Sequence, residues 1–520
     1  MNSTTPAKLI WLALLLGFWA FFGLTGRDAW KAEEAIALEP ILDWLDGTLP
    51  VWSTPAPLYT LIAGLAVKAN IAGGDIQDGA RLASGLFTCI AFLFTGLSGR
   101  ALFGPGFGPA ATIALLGGFG LMLRAHALLP ETALLAAWSM LLYGVMAAKN
   151  QPERGVLAIG FALALLTLGL RGLPDLLAGL AIVLLPLATP AGRDRNYRQT
   201  ALRGTLFGLG LISLAIVYLA ALGQLDDWLR WHGSGRFGPI RPPASAFAEL
   251  PWFTWPLWPL ALGAIWHAHR RLWRTPELHL PLIAVAALML AGLVPAWSRD
   301  GALLPILLPL ALLSAYGLDN LRRGAAQALY WFGVLFFAFL IMGFWVYFAA
   351  IEWSYPTKLA LRMARLTPDY QTGSVTALAY FPAAVATLAW IIAIPLFPRA
   401  KTRPVLVWAT GMVLVWVLIA TLFRPWIEAG WAYRPLIADM ARHLPANACL
   451  NTEVDPAMKT MLRLHLASRK QANCPWTLKL TIQAAGKPGT PAAGNVVWEG
   501  FRPRFKSQVY RLEQHVAGQR

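Results

Sequence analysis

Apolar residues run along this chain in long blocks separated by short polar breaks. Thirteen blocks stand out, at 9–24, 82–98, 107–123, 132–148, 155–170, 174–190, 202–222, 252–268, 278–296, 301–318, 327–350, 375–397 and 404–423. Each has about the 17–25 residues that a helix needs to cross hydrocarbon. The first follows Lys8 and resembles a signal peptide, but no small-x-small cleavage site comes after it, so it reads as a retained helix. Residues 55–67 are apolar but stop at Lys68, short for a span, and read as an amphipathic helix along the membrane surface. From Arg424 the pattern changes. Polar helices are predicted at 434–444 and 456–469, and strands at 477–483, 495–499 and 507–512. The fold class is an all-α polytopic membrane protein with about thirteen transmembrane helices and a small C-terminal α/β domain. Its domains are 1–423, with a first outer loop and surface helices at 25–81, and 424–520.

Composition narrows the class. The chain is 57% hydrophobic and 13% charged, against about a quarter charged in soluble domains. Its net charge of +17 would raise the question of nucleic acid in a soluble protein. Here the cations collect in loops on one side, and no nucleic-acid motif is present. Six alternate loops, from 99–106 to 398–403, hold 15 Lys/Arg in 53 residues, whereas the intervening loops hold 9 in 68. The first set is therefore cytoplasmic, which puts the N-terminus inside and the C-terminal domain outside. Of the three cysteines, Cys89 lies in an apolar block. Cys449 and Cys474 lie in the polar tail and would form a disulfide in an oxidising compartment.

Candidate chemistry gathers on the outer side. Residues 28–78 hold Asp28, Glu33, Glu34, Glu39, Asp43, Asp46, Asp75 and Asp78, a large share of the 26 acids. Carboxylates at a membrane surface serve as bases, electrostatic partners or metal ligands, or simply as a solvated, helix-capping face. Glu131 stands at the mouth of a predicted span beside Arg124 and His126. Arginines Arg81, Arg124, Arg171, Arg236 and Arg299 share this side. A guanidinium fork matches phosphate oxygens, and arginines also snorkel to ordinary headgroups. No His/Cys/Asp group has metal spacing, and there is no Walker loop and no GxSxG.

Several short stretches carry a resemblance. Residues 27–35 (RDAWKAEEA), directly after the first helix, resemble the R-D-x-W-x-x-D-E-A stretch of bacterial aminoarabinose (lipid A) transferases and their protein O-mannosyltransferase relatives. Residues 54–59 (TPAPLY) are similar to their K-P-P-L-x-Y surface helix, 81–84 to R-L-P-S, and 124–134 to A-R-x-x-L-x-D-x-x-L. Residues 299–309 (RDGALLPILLP) resemble their basic-x-x-Y-L-L-P-x-x-P segment. The resemblance implies a GT-C-like membrane glycosyltransferase of the bacterial inner membrane. It would use an undecaprenyl-phosphate sugar at the periplasmic face, with no metal demanded by the sequence. Glu33 takes the place of the catalytic aspartate, with Glu34 and Asp28 beside it. Arg81, Arg171, Arg236 and Arg299 would contact the donor phosphate, and Tyr59, Arg124 and Glu131 would line the cavity. Four positions depart from the pattern: Glu33 for Asp, Thr54 for Lys, Glu131 for Asp and Ala302 for Tyr. They mark a divergent member with a different sugar or acceptor. The acceptor is expected to be a membrane lipid, another glycan or a protein.

A lipid or solute transporter, or a noncatalytic scaffold, is the competing class. A transporter predicts ionisable residues near helix centres or paired broken helices. The acids here sit at helix ends.

Overall fold

The computed structural model describes residues 6–232, 242–270, 272, 274–298, 301–445, 448–466, 474–482 and 495–514. These form two compact units. One comprises residues 1–25, 40–339 and 386–416, and the other residues 26–39, 340–385 and 417–520.

The first unit is helical. Its helices Ile76–Phe103 and Glu131–Ala147 pack together, and Pro152–Leu168 packs between Glu131–Ala147 and Arg195–Ala221. Lipid tails are as apolar as leucine, so such helices associate by close packing rather than by hydrophobic drive. Gly144 and Gly155 supply it: a Cβ on Gly155 would come within 3.0 Å of the Gly144 carbonyl oxygen. At the crossing of Ile76–Phe103 with Phe107–Leu116, a Cβ on Gly108 would come within 2.8 Å of the Gly96 oxygen.

Every predicted span carries helix, but six helices among the described residues are long and apolar enough to cross a membrane. Several of the others are broken where the sequence inserts Gly or Pro. The block 107–123 becomes Phe107–Leu116 and Phe119–Arg124, parted at Gly117-Gly118. The block 252–268 starts inside Pro243–Phe253 and resumes at Leu257–Ala268, after Pro256. Backbone groups freed at such breaks need partners when water is absent. The Trp408 indole donates to the Gly117 oxygen at 2.9 Å, and Phe119 N donates to the Trp255 oxygen at 3.0 Å. The segment expected as a short surface helix is the helix Pro57–Lys68.

In the second unit, residues after 433 build a four-stranded sheet: β1 (Leu450–Glu453), β2 (Trp476–Ile482), β3 (Asn495–Phe501) and β4 (Gln508–Gln514), in the order β1-β2-β4-β3. β1 pairs parallel with β2 through the helix Pro456–His465, a βαβ unit, and β3 and β4 form an antiparallel pair beside it. The sequence reading missed β1, which is only four residues long. Cys449 and Cys474 are joined as a disulfide with Cα atoms 5.1 Å apart, immediately ahead of the paired residues Leu450 and Trp476. The core holds Tyr433, Ile437, Met458, Met461, Leu478, Tyr510 and Leu512, together with Ala29 and Ala35 from the segment after the first helix.

Candidate functional site

The acidic segment 26–39 is held by a small set of polar contacts within the second unit. Gly26 takes φ +75, a left-handed turn that a side chain would resist, and the chain then enters the buried pair Arg27-Asp28. The Arg27 guanidinium pairs with Glu34 at 3.1 Å, both almost fully buried, and its Cζ lies 4.5 Å from the Trp30 ring centroid. Asp28 reaches across 400 residues of sequence. Its Oδ2 accepts from Tyr433 N at 2.7 Å and Arg434 N at 2.8 Å, the open N-terminus of the helix Arg434–Ala441. Such N–H groups have no partner inside their own helix, and a carboxylate there also meets the positive end of the helix dipole. Glu428 closes the arrangement from the other side, accepting from Asp28 N at 3.1 Å and from the Trp30 indole at 2.6 Å.

Glu33 and Glu34 open the helix Ala32–Leu45, where the dipole again favours carboxylates. Glu34 faces inward to Arg27, whereas Glu33 is half-buried and within reach of solvent. Of the three carboxylates predicted to act together, Asp28 and Glu34 are buried and hold the segment, and Glu33 is the one that is only half-buried.

In the first unit the predicted residues fall into two groups. Arg81 is fully buried and donates to Asp78 at 3.0 Å, Gln77 at 3.1 Å and the Leu24 oxygen at 3.3 Å. One turn along that helix, the Ser84 hydroxyl donates to the Ala127 oxygen at 2.7 Å. Its only proton is then used, so the Tyr59 hydroxyl, 2.8 Å away, must donate to it. Tyr59 thus ties the helix Pro57–Lys68 to Ile76–Phe103 and to the loop ahead of Glu131. Thr54, in the place of the resembled lysine, is buried and donates to the Val51 oxygen at 2.6 Å.

Glu131 is fully buried. Its Oε1 accepts from Ser298 N at 2.6 Å and from the Ser298 hydroxyl at 2.5 Å, and Arg124 lies near enough to act on it electrostatically. Gly301 is required beside it, because a Cβ there would stand 2.3 Å from Oε1. Arg171 is a bidentate partner of Asp175, at 3.0 and 2.5 Å, and donates through NH1 to the Val294 oxygen at 2.9 Å. Gly172, at φ +80, turns the chain under His232, whose Nδ1 lies 2.9 Å from the Trp228 oxygen. Burial holds the His232 imidazole below its ordinary range. Arg236 and Arg299 lie outside the described residues. Among the described residues no three His, Cys, Asp or Glu side chains gather to hold a metal ion.

Sequence reasoning missed Glu428 and Ser298, because no local spacing links residues 400 or 167 positions apart. The pairings of Arg171 with Asp175 and of Arg81 with Asp78 were findable: the acids stand four residues after one arginine and three before the other, the spacings at which helical charges meet.

No protein-family model matches the sequence, and no curated protein matches it. Solved structures do. The crystal structure of ArnT from Cupriavidus metallidurans bound to undecaprenyl phosphate superposes with a TM-score of 0.66 at 16% identity, over 99% of both chains. Its apo form gives 0.66 at 15% identity over 98% of both. A looser likeness, TM-score 0.40 at 14% identity, covers 79% of this chain and 56% of the oligosaccharyltransferase AglB from Archaeoglobus fulgidus. The chain therefore has the fold of ArnT from end to end.

Proposed function

We propose, from a fold shared along its whole length with ArnT, that this chain is an integral-membrane glycosyltransferase of the bacterial inner membrane. The donor is a sugar on a polyprenyl phosphate, by analogy with the undecaprenyl phosphate bound to that neighbour. Residues 1–423 form the transferase domain and 424–520 a periplasmic domain, with the N-terminus in the cytoplasm. The acceptor is a membrane lipid or another periplasm-facing glycan or protein.

An acceptor hydroxyl attacks C1 of the sugar from the face opposite the phosphate. The C1–O bond breaks, its electron pair passes to the phosphate oxygen, and the configuration inverts. Glu33 takes the acceptor proton. Guanidinium groups stabilise the charge that develops on the leaving phosphate. Arg81, Arg171, Arg236 and Arg299 are the proposed donors. Arg81 and Arg171 hold Asp78 and Asp175, so each must trade or share a carboxylate to reach a phosphate. Arg171 also holds two carbonyls, which favours a positioning role. Tyr59, Arg124 and Glu131 shape the cavity wall.

One observation bears on a transporter. The broken helices have their freed backbone groups capped by Trp408 and by the Trp255 carbonyl, whereas a transporter would present them to an ion.

The reading rests on the full-length fold likeness. Membranes carrying the wild-type chain or Glu33→Gln are to be given radiolabelled polyprenyl-phosphate sugars and total envelope acceptors. Transfer is expected for at least one donor and should fall about a hundredfold or more in the variant. Undiminished transfer by Glu33→Gln removes the base, and no transfer with any donor removes the activity.

A further inference from the structure

The helix Thr357–Leu366 belongs to none of the elements discussed so far. It connects Arg323–Glu352 and Ala377–Leu396, both long and apolar enough to cross a bilayer. Its start lies five residues beyond Glu352, so it begins within about 18 Å of the end of that helix. The chain returns to the same surface at Ala377. The helix therefore lies at the membrane–water boundary.

Its sequence is built in stripes. Lys358, Arg362 and Arg365 recur at i, i+4 and i+7, so their side chains share one face, and all three are exposed. Leu359, Met363 and Leu366 repeat the spacing on the neighbouring face, with Met363 buried and the two leucines half-buried. Among the described residues none of the three cations has an ion-pair partner. Glu352, the acid before the helix, is committed elsewhere: it accepts from the Tyr370 hydroxyl and from Gly373 N. Trp353 and Tyr355, 62% and 73% exposed, precede the helix as aromatic residues do at headgroup level.

Beside the stripe is a cleft of about 200 Å³, lined by Ala350, Ile351, Ala360, Leu361, Ala364 and Trp426. That is below the roughly 300–1,000 Å³ of sites for compact ligands, so the cleft suits a length of hydrocarbon chain. Hydroxyl groups of Ser354, Thr357, Thr367, Tyr370 and Thr372 also face it. The Thr367 hydroxyl is buried and has no hydrogen-bond partner. A buried hydroxyl left unsatisfied is costly, which favours a ligand with an acceptor at that point.

We propose that this helix and cleft form a docking site for one anionic phospholipid of the adjoining leaflet. The phosphate lies along Lys358, Arg362 and Arg365, an acyl chain enters the cleft, and the Thr367 hydroxyl donates to an ester carbonyl. Uncompensated positive charge beside an apolar slot at a bilayer surface is complementary to that molecule and to no neutral lipid. The site is independent of the transfer reaction.

The test uses the purified full-length chain in neutral detergent, titrated with phosphatidylglycerol or phosphatidylcholine, with retained lipid counted by native mass spectrometry. Wild type is expected to retain phosphatidylglycerol with a preference of roughly tenfold or more, in line with the attraction of several cations to one anionic headgroup. Lys358→Gln with Arg362→Gln and Arg365→Gln should erase the preference, whereas Arg362→Lys with Arg365→Lys should keep it. Thr367→Val should weaken both lipids severalfold. Loss of three exposed cations elsewhere, by Arg193→Gln, Arg195→Gln and Arg198→Gln, should leave the preference in place. The proposal is overturned if wild type shows no preference or the triple glutamine variant retains it. It is also overturned if the distant control loses the preference, or if inorganic phosphate displaces the lipid.

Discussion

Asp28 accepts two backbone N–H groups at the start of a helix four hundred residues downstream, while Glu33, five positions on, is half-buried at the mouth of its own helix. The two carboxylates should therefore respond differently to substitution. Asp28→Ala leaves one buried and one part-buried backbone donor without its cap and is expected to cost about 1–3 kcal/mol, read as a lower thermal midpoint of the purified protein. Glu33→Gln keeps the size and polarity of the side chain and is expected to lower the thermal midpoint less than Asp28→Ala while losing transfer. A variant that lost both together would make Glu33 a structural acid. His232 supplies a pH dependence. Its folded pKa is depressed by burial, so the unfolded chain binds the proton more readily. Stability is then unaffected above the ordinary histidine range and is lost as pH falls through that range toward the folded value. Limited proteolysis next to the helix Leu225–His232 should accelerate between pH 7.5 and pH 5.5, roughly the window of an ordinary imidazole, and His232→Gln should flatten the response.

At the scale of elements, a turn and a covalent link each carry a measurable share of the fold. Gly172 combines φ +80 with a His232 Cβ only 3.1 Å from where its own Cβ would stand. Gly172→Ala is expected to cost about 1–3 kcal/mol through backbone strain, and to loosen the turn that carries Arg171. The Cys449–Cys474 disulfide joins the starts of two adjacent parallel strands across 25 residues. Cys474→Ser should cost the sheet domain about 2–4 kcal/mol, seen as a thermal midpoint that no longer falls when reductant is added. The helices at 131–147 and 195–221 were readable because their apolar runs are unbroken. The break at Gly117-Gly118 was not, because a run of apolar residues looks the same whether its helix continues or restarts. What permits the restart is Trp408 donating to the buried Gly117 carbonyl that the break frees, and only packing brings it there.

For the whole molecule, the uneven spread of Lys and Arg among the loops makes a prediction about sidedness. A reporter active only outside the cytoplasm, fused after residue 520, should be active, and one fused after Arg274 should be silent. The reverse result would move the sheet domain, and with it the proposed site, to the cytoplasm.

Hydropathy blocks, the change of pattern near Arg424 and the short motifs around Glu33 were all local facts, and local spacing is enough to determine a membrane-helical architecture and to nominate its acids and arginines. Which acid is buried in a clamp and which stays half-buried was decided only in three dimensions. Asp28 and Glu34 look like Glu33 in the sequence, and their difference comes from Tyr433, Arg434 and Arg27. A carboxylate's role depends on which donors reach it, and donors brought together from distant parts of the chain leave no trace in local spacing.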